Sequence, residues 1–167
     1  MVSGSFLSAN VLPKYEILEG RDDEQAILCA DMADLTPFRR IRALRDFGDV
    51  KAGDIGGFVQ GDKALSHEGN CWIYDDAKVY STGQIKGSAQ IRNGSFLYRG
   101  IIEGDSVVRG YAKCDDVHIS GRTTLWMGQG WKYPMVYGKA HDVEGWIPRT
   151  VDEPPVNRPL WRRVLGL

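Results

Sequence analysis

Three histidines, three cysteines, several adjacent carboxylates and one arginine cluster hold most of the reactive chemistry in this sequence. His67, His118 and His141 lie 51 and 23 residues apart, so they offer no close pair of the kind that a three-histidine zinc site requires. Cys29, Cys71 and Cys114 are odd in number and widely spaced. They form no CxxC, and neither a disulfide framework nor a metal centre is expected. GxSxG, GxGxxG and P-loop patterns are absent, so nucleophile elbows and phosphate cradles are not indicated. Asp75-Asp76 and Asp115-Asp116 could act as acid and base, but they fall where the chain should turn, and carboxylates are ordinary turn residues. Arg39, Arg40, Arg42 and Arg45, with Arg162 and Arg163 as companions, could contact phosphates. Asp46, Asp49 and Asp54 follow directly, which favours a salt-bridged face instead.

What must position these groups is a β-rich chain. The 167 residues carry 20 glycines and a net charge of −1, with 43% hydrophobic and 26% charged residues. That balance weighs against a general nucleic-acid binder, which usually carries a basic excess, and against an acidic DNA mimic. Met1 to Pro13 lacks a basic stretch followed by an apolar one, so no signal peptide is expected. No apolar run approaches the roughly 18 residues of a membrane helix.

The dominant pattern is a repeat of six. Aliphatic residues recur at Ile73, Val79, Ile85, Ile91 and Leu97, each preceded at two positions by Cys71, Ala77, Gly83, Ala89 or Ser95. Turn-formers Asp75, Ser81, Gly87 and Asn93 follow the first four. The spacing contracts by one after Leu97, resumes through Ile102, Val108 and Cys114, and contracts again before Ile119 and Leu125. A strand places residues two apart on one face, and glycine, asparagine or aspartate then turns the corner in a left-handed conformation. Three units of this kind make one triangular coil, and stacked coils bury the aliphatic rows. The ten units predict an all-β fold, a short left-handed parallel β-helix of about three coils. On this reading Cys71 and Cys114 point inward and are inert.

These repeats resemble the hexapeptide, left-handed β-helix pattern of many acyltransferases. The blocks Asp49-Val-Lys-Ala-Gly-Asp-Ile-Gly-Gly57 and Leu65-Ser-His-Glu-Gly-Asn-Cys-Trp72 resemble a phage-, prophage- and enterobacteria-encoded family labelled transferase or hypothetical protein. The resemblance covers residues 38 to 125. It implies that a histidine can serve as general base, and His118, immediately before core position Ile119, points outward where a subunit interface could meet a substrate. His67, in the LSHEGN block, is expected to make a capping hydrogen bond.

Residues 1–63 are expected to form an N-terminal β cap, using Lys14 to Leu18 and Phe38 to Phe47, residues 64–127 the β-helix, and residues 128–167 an irregular C-terminal cap and Pro-rich tail. Trp131, Tyr133, Met135, Trp146 and Ile147 supply that last segment with apolar surface, and Pro134 and Pro148 interrupt it. On the outside, the first face starts with Trp72 and Tyr74, the second carries Tyr80, Phe96 and Tyr98, and the third is polar, with Gln84, Lys86, Glu103, His118 and Ser120. The outward aromatics mark a partner or subunit contact unless the flanking segments cover them.

The leading expectation is therefore a non-enzymatic, phage-derived protein-interaction module, in one concrete form an anti-CRISPR-like inhibitor of a host defence complex. It would act in the bacterial cytoplasm, with a protein partner or as a dimer or trimer, and without cofactor, metal or membrane. The alternatives are a divergent acyltransferase with His118 as base at a trimer interface, and a nucleic-acid binder using Arg39 to Arg45.

Overall fold

Short alternating strands separated by left-handed residues cannot bury their inward side chains alone, and stacking solves this by placing like residues on like. The computed structural model describes residues 12–19, 36–128 and 135–143. Its strands are β1 (Tyr15–Ile17), β2 (Arg39–Ala43), β3 (Ile55–Val59), β4 (Trp72–Ile73), β5 (Lys78–Ile85), β6 (Gln90–Ile91), β7 (Phe96–Ile102), β8 (Val107–Gly110), β9 (Lys113–Ser120), β10 (Thr124–Met127) and β11 (Met135–His141). The only helical element among the described residues is a 3-10 turn at Asp62–Ala64.

Parallel pairing of β4, β6, β8 and β10 builds one sheet. The parallel stack β3, β5, β7, β9 and β11 builds a second, bent sheet that supplies the other two faces. Together they form a β-solenoid of about five turns. The ten hexads account for about three of these turns; β3 and β11, which carry no readable hexad, extend the stack at its two ends.

Three vertical rows make the core. Ile73, Ile91, Val108 and Leu125 form the first, Val59, Val79, Leu97, Cys114 and Val136 the second, and Leu65, Ile85, Ile102, Ile119 and Ala140 the third, all buried. Each large aliphatic removed from water contributes about 1.5–3 kcal/mol. The buried hydroxyls of Ser95 and Ser106 donate to the corner carbonyls of Gly110 and Gly121 in the next turn, 3.3 Å away in each case. The two contractions in the repeat also have a structural place. Both fall at the bend between the second and third rows, which takes six residues from Val79 to Ile85 and five from Leu97 to Ile102 and from Cys114 to Ile119. The extra residue of β5 appears as a register shift between Val79 and Thr82.

Corners stack as strictly as rows. Gly69, Gly87, Gly104, Gly121 and Asp142 lie one above another with φ of 68°, 65°, 71°, 67° and 52°. At another corner Asp75 and Asn93 are left-handed (φ 54° and 58°), and side chains run the ladder on. The Asn93 N–H donates to the Asp75 carboxylate (3.1 Å), and the Gly110 N–H donates to the Asn93 side-chain carbonyl (3.2 Å). Asp75 is thus a corner residue, as expected from its position.

The N-terminal end is closed by strands running the other way. β2 pairs antiparallel with β3, and β1 antiparallel with β2. Tyr15, Phe47 and Trp72 pack there edge to face, with ring centroids of Tyr15–Trp72 at 6.4 Å and Phe47–Trp72 at 5.3 Å. Of residues 128–167, expected as an irregular cap and tail, Met135–His141 instead adds a strand to the stack; the part beyond 143, with Cys29, Trp131, Tyr133, Pro134, Trp146, Ile147, Pro148, Arg162 and Arg163, lies outside the described residues.

Candidate functional site on the third face

Each side chain on the outside of a strand has a neighbour directly above and below in the stack. On the third face one column runs Gln84, Ile101, His118, Lys139, and the next runs through Ser120 and His141. Glu103 follows Ile102 as Ser120 follows Ile119, so it lies diagonal to His118, within reach of a long side chain. The His118 Nε2 is 2.6 Å from Glu103 Oε1, and both side chains are about two-fifths exposed. An ionised carboxylate only accepts, so Nε2 is the donor, and in the neutral form of the ring this tautomer puts the lone pair on Nδ1. That orientation leaves a base facing outward.

Beside this pair, His141 Nδ1 is 2.9 Å from Ser120 Oγ, and its Nε2 is 3.1 Å from the Asp142 carboxylate. The Asp142 carboxylate also accepts the Arg122 N–H (2.9 Å). The third face therefore gathers two imidazoles, two carboxylates and a hydroxyl at one end of the solenoid. Among the described residues no group of histidines, cysteines and carboxylates has metal-holding geometry.

Elsewhere, polar groups serve the fold. The His67 Nδ1 accepts the Lys14 N–H (3.1 Å), its ring stacks on Tyr15 with centroids 4.4 Å apart, and burial with the nearby Lys14 charge holds its pKa below the ordinary value. This is the capping role expected for it. Arg39 pairs with Glu19 (3.0 Å), Arg40 with Asp76 (2.8 Å) and Arg42 with Glu16, while Arg45 reaches the His67 carbonyl (3.4 Å). Three of the four guanidiniums thus pair with carboxylates of the chain itself, and Arg45 meets a backbone carbonyl. Arg40 also lies over the Phe58 ring, 4.2 Å from its centroid.

The outward aromatics divide in two. Trp72 is 2% exposed under the N-terminal cap, and Tyr80 is 3% exposed against Phe38, whose ring centroid is 4.8 Å away. Tyr74 is half-buried, with its hydroxyl on Asp49 and Arg92 stacked 3.8 Å over its ring. Phe96 and Tyr98 are half-buried and packed on the Phe38–Phe58–Tyr80 cluster. The chain's own N-terminal segment thus accounts for Trp72 and Tyr80. Cys114 is buried among apolar side chains, which pushes its thiol up to about 12. Cys71 is equally buried, yet its sulfur is 3.2 Å from the Lys14 amine, so the core is not idle there.

Sequence reasoning singled out His118 and missed its partner Glu103 and the pair His141–Asp142. The signal for Glu103 lies in the 17-residue step from Ile102 to Ile119, which sets Glu103 beside Ser120. Lys14 gave no signal at all, since nothing in a sequence marks a lysine for complete burial.

No family model matches the chain. It is 40% identical over 70 residues to an uncharacterized acetyltransferase, YdcK, of Escherichia coli K12. The likeness covers 41% of this chain, which spans 22% of the length of that curated relative. Repeat, solenoid and likeness together fit a hexapeptide-repeat protein. The same likeness overturns the leading expectation of a non-enzymatic interaction module acting on host defence. That expectation rested on finding no catalytic constellation; a relative named as an acetyltransferase favours the acyltransferase alternative.

Proposed function

We propose that this chain is a hexapeptide-repeat acyltransferase whose third face carries the chemistry. The observation behind it is the 2.6 Å pair His118–Glu103 on an outward, solvent-reached face of the solenoid. His118 is the general base: its Nδ1 takes the proton of an acceptor hydroxyl or amine as that atom attacks the thioester carbonyl of an acyl-CoA. Glu103 is a positioning residue, holding the imidazole in the tautomer that leaves Nδ1 free. A neighbouring subunit of a homotrimer closes the site against the flat face. A cytoplasmic setting, where acyl-CoA is available and thiols stay reduced, suits this chemistry.

The test is direct. Calorimetric titration of the purified chain with acetyl-CoA should show binding, and thiol release with a panel of amino and hydroxy acceptors should show turnover. His118→Ala should abolish the turnover and leave the light-scattering mass unchanged. Absence of any acetyl-CoA binding by the wild-type chain would defeat the reading.

A further inference from the structure

Solenoid corners usually satisfy one another. The Gly87 carbonyl accepts the Cys71 N–H (2.8 Å), Gly104 accepts Ser88 (2.8 Å) and Gly121 accepts Asp105 (2.8 Å). Gly69 heads this column, with no turn in front of it. Its carbonyl is met by the Lys14 Nζ at 3.4 Å, which also donates to the carbonyls of Cys71 (2.9 Å) and Glu68 (3.5 Å). Three fixed acceptors therefore lock a fully buried amine in one place, and that place is 3.2 Å from the sulfur of the equally buried Cys71.

The surroundings of the pair hold the two atoms in register. No carboxylate hydrogen-bonds either Nζ or Sγ among the described residues, and the Arg45 guanidinium is a second nearby positive group. The Cys71 sulfur also lies 3.6 Å from the carbonyls of Ser66 and Ile85 and 3.7 Å from that of Glu68, so backbone fixes both ends of the pair. The Tyr15 hydroxyl donates to the Asp62 carbonyl, and the His67 ring stacks on Tyr15. Cys114 offers the contrast: it is just as buried, it has no amine against it, and desolvation alone governs its thiol.

We infer that Lys14 and Cys71 are the two ends of an oxidative N–O–S crosslink that fastens the N-terminal strand to the first turn, with dioxygen as the oxidant. Amine and thiol together hold three hydrogens. One oxygen atom enters the bridge, and the other leaves as water with two hydrogens, so one hydrogen stays on nitrogen. Sulfur and nitrogen each give up two electrons, and dioxygen takes all four. A bent two-bond bridge spans close to the separation already present, whereas a direct N–S bond would demand a much larger approach of two constrained atoms. Dioxygen reaches the pair when β1, three residues long and at the sheet edge, lifts from β2. The bridge closes a 57-residue span of chain and so restricts the unfolded state.

The experiment compares anaerobically purified protein with the same full-length chain held in oxygen-saturated buffer. Intact mass should rise by one oxygen and fall by two hydrogens. Tryptic digestion should fail at Lys14 and join its peptide to that of Cys71, and dithiothreitol should restore both. Cys71→Ser and, separately, Lys14→Met should each abolish the crosslinked peptide; should Lys14→Met not fold, Cys71→Ser alone decides. The thermal midpoint of the wild type should be higher after oxygen than after reduction. Cys71 recovered as a sulfinic or sulfonic acid with Lys14 still cleaved would overturn the proposal, as would an unchanged mass.

Discussion

The N-terminal end of the solenoid and its third face are both rich in titratable groups, and they use them in opposite ways. At the end, Lys14, His67, Tyr15 and Cys71 turn inward, and their bonds go to backbone carbonyls or to one another. On the third face, His118, Glu103, His141 and Asp142 stand outward, paired yet reached by solvent. A buried polar group must be satisfied, at a cost of about 1–3 kcal/mol when it is not. The end therefore spends its chemistry on closing an open stack. The face has no such debt, because the rows behind it already provide its stability, and its groups remain available to a ligand.

Substitutions can separate the two regions. The largest effect belongs to His118→Ala, which should lower acyl transfer by about 10²–10⁴-fold and leave stability within about 0.5 kcal/mol; parallel turnover and urea titrations read both. Comparable loss of stability would mean that the face is structural after all. Next comes Lys14→Met, which should show the reverse, destabilising by about 2–4 kcal/mol through orphaned carbonyls with the per-molecule turnover of the folded fraction intact. Glu103→Gln should reduce turnover roughly ten-fold, the worth of one exposed charge-assisted hydrogen bond, without moving the urea midpoint.

The smallest effect is one of pH. His67 has its pKa lowered in the folded chain by burial and by Lys14, so the unfolded chain binds the proton more readily. Its contribution is present above the ordinary value of 6.5 and is lost as pH falls through the lower folded value. Stability measured by urea between pH 7 and pH 5 should decline, and His67→Gln should flatten that slope. A slope unchanged by the substitution would locate the acid sensitivity elsewhere.

How much of this could be read without coordinates follows from where periodicity acts. The inward rows, the smallness of Ala77, Ala89 and Ala112, and the corner at Asp75 were legible because each must recur once the chain winds in hexads. The end turns were not. β3 and β11 stack through Val59 and Val136 without a preceding hexad, since an end strand packs against one neighbour and against caps of unrelated composition. The third face was read as polar, yet Ile101 stands between Gln84 and His118 in its column, and the side-chain pairs were not foreseen. His118 and Glu103 are 15 apart and meet only because the turn is 17 residues long, a length fixed by contractions that look like noise in the sequence. Trp72 and Tyr80 read as outward aromatics, yet the cap residues Phe47 and Phe38 that cover them carry no mark of their destination.

The column of left-handed corners at Gly69, Gly87, Gly104, Gly121 and Asp142 has a consequence for how such a rod can change length. A side chain at Gly104 would strike the backbone of Gly121, and one at Gly121 would strike Asp142, so every level constrains the next. Duplication or deletion of one whole level, corner included, keeps all contacts of the same kind and merely resizes the rod. Gain or loss of a single residue must instead be absorbed within its own level, as the sixth residue between Val79 and Ile85 is by a register shift, for the corners beyond it to keep their column.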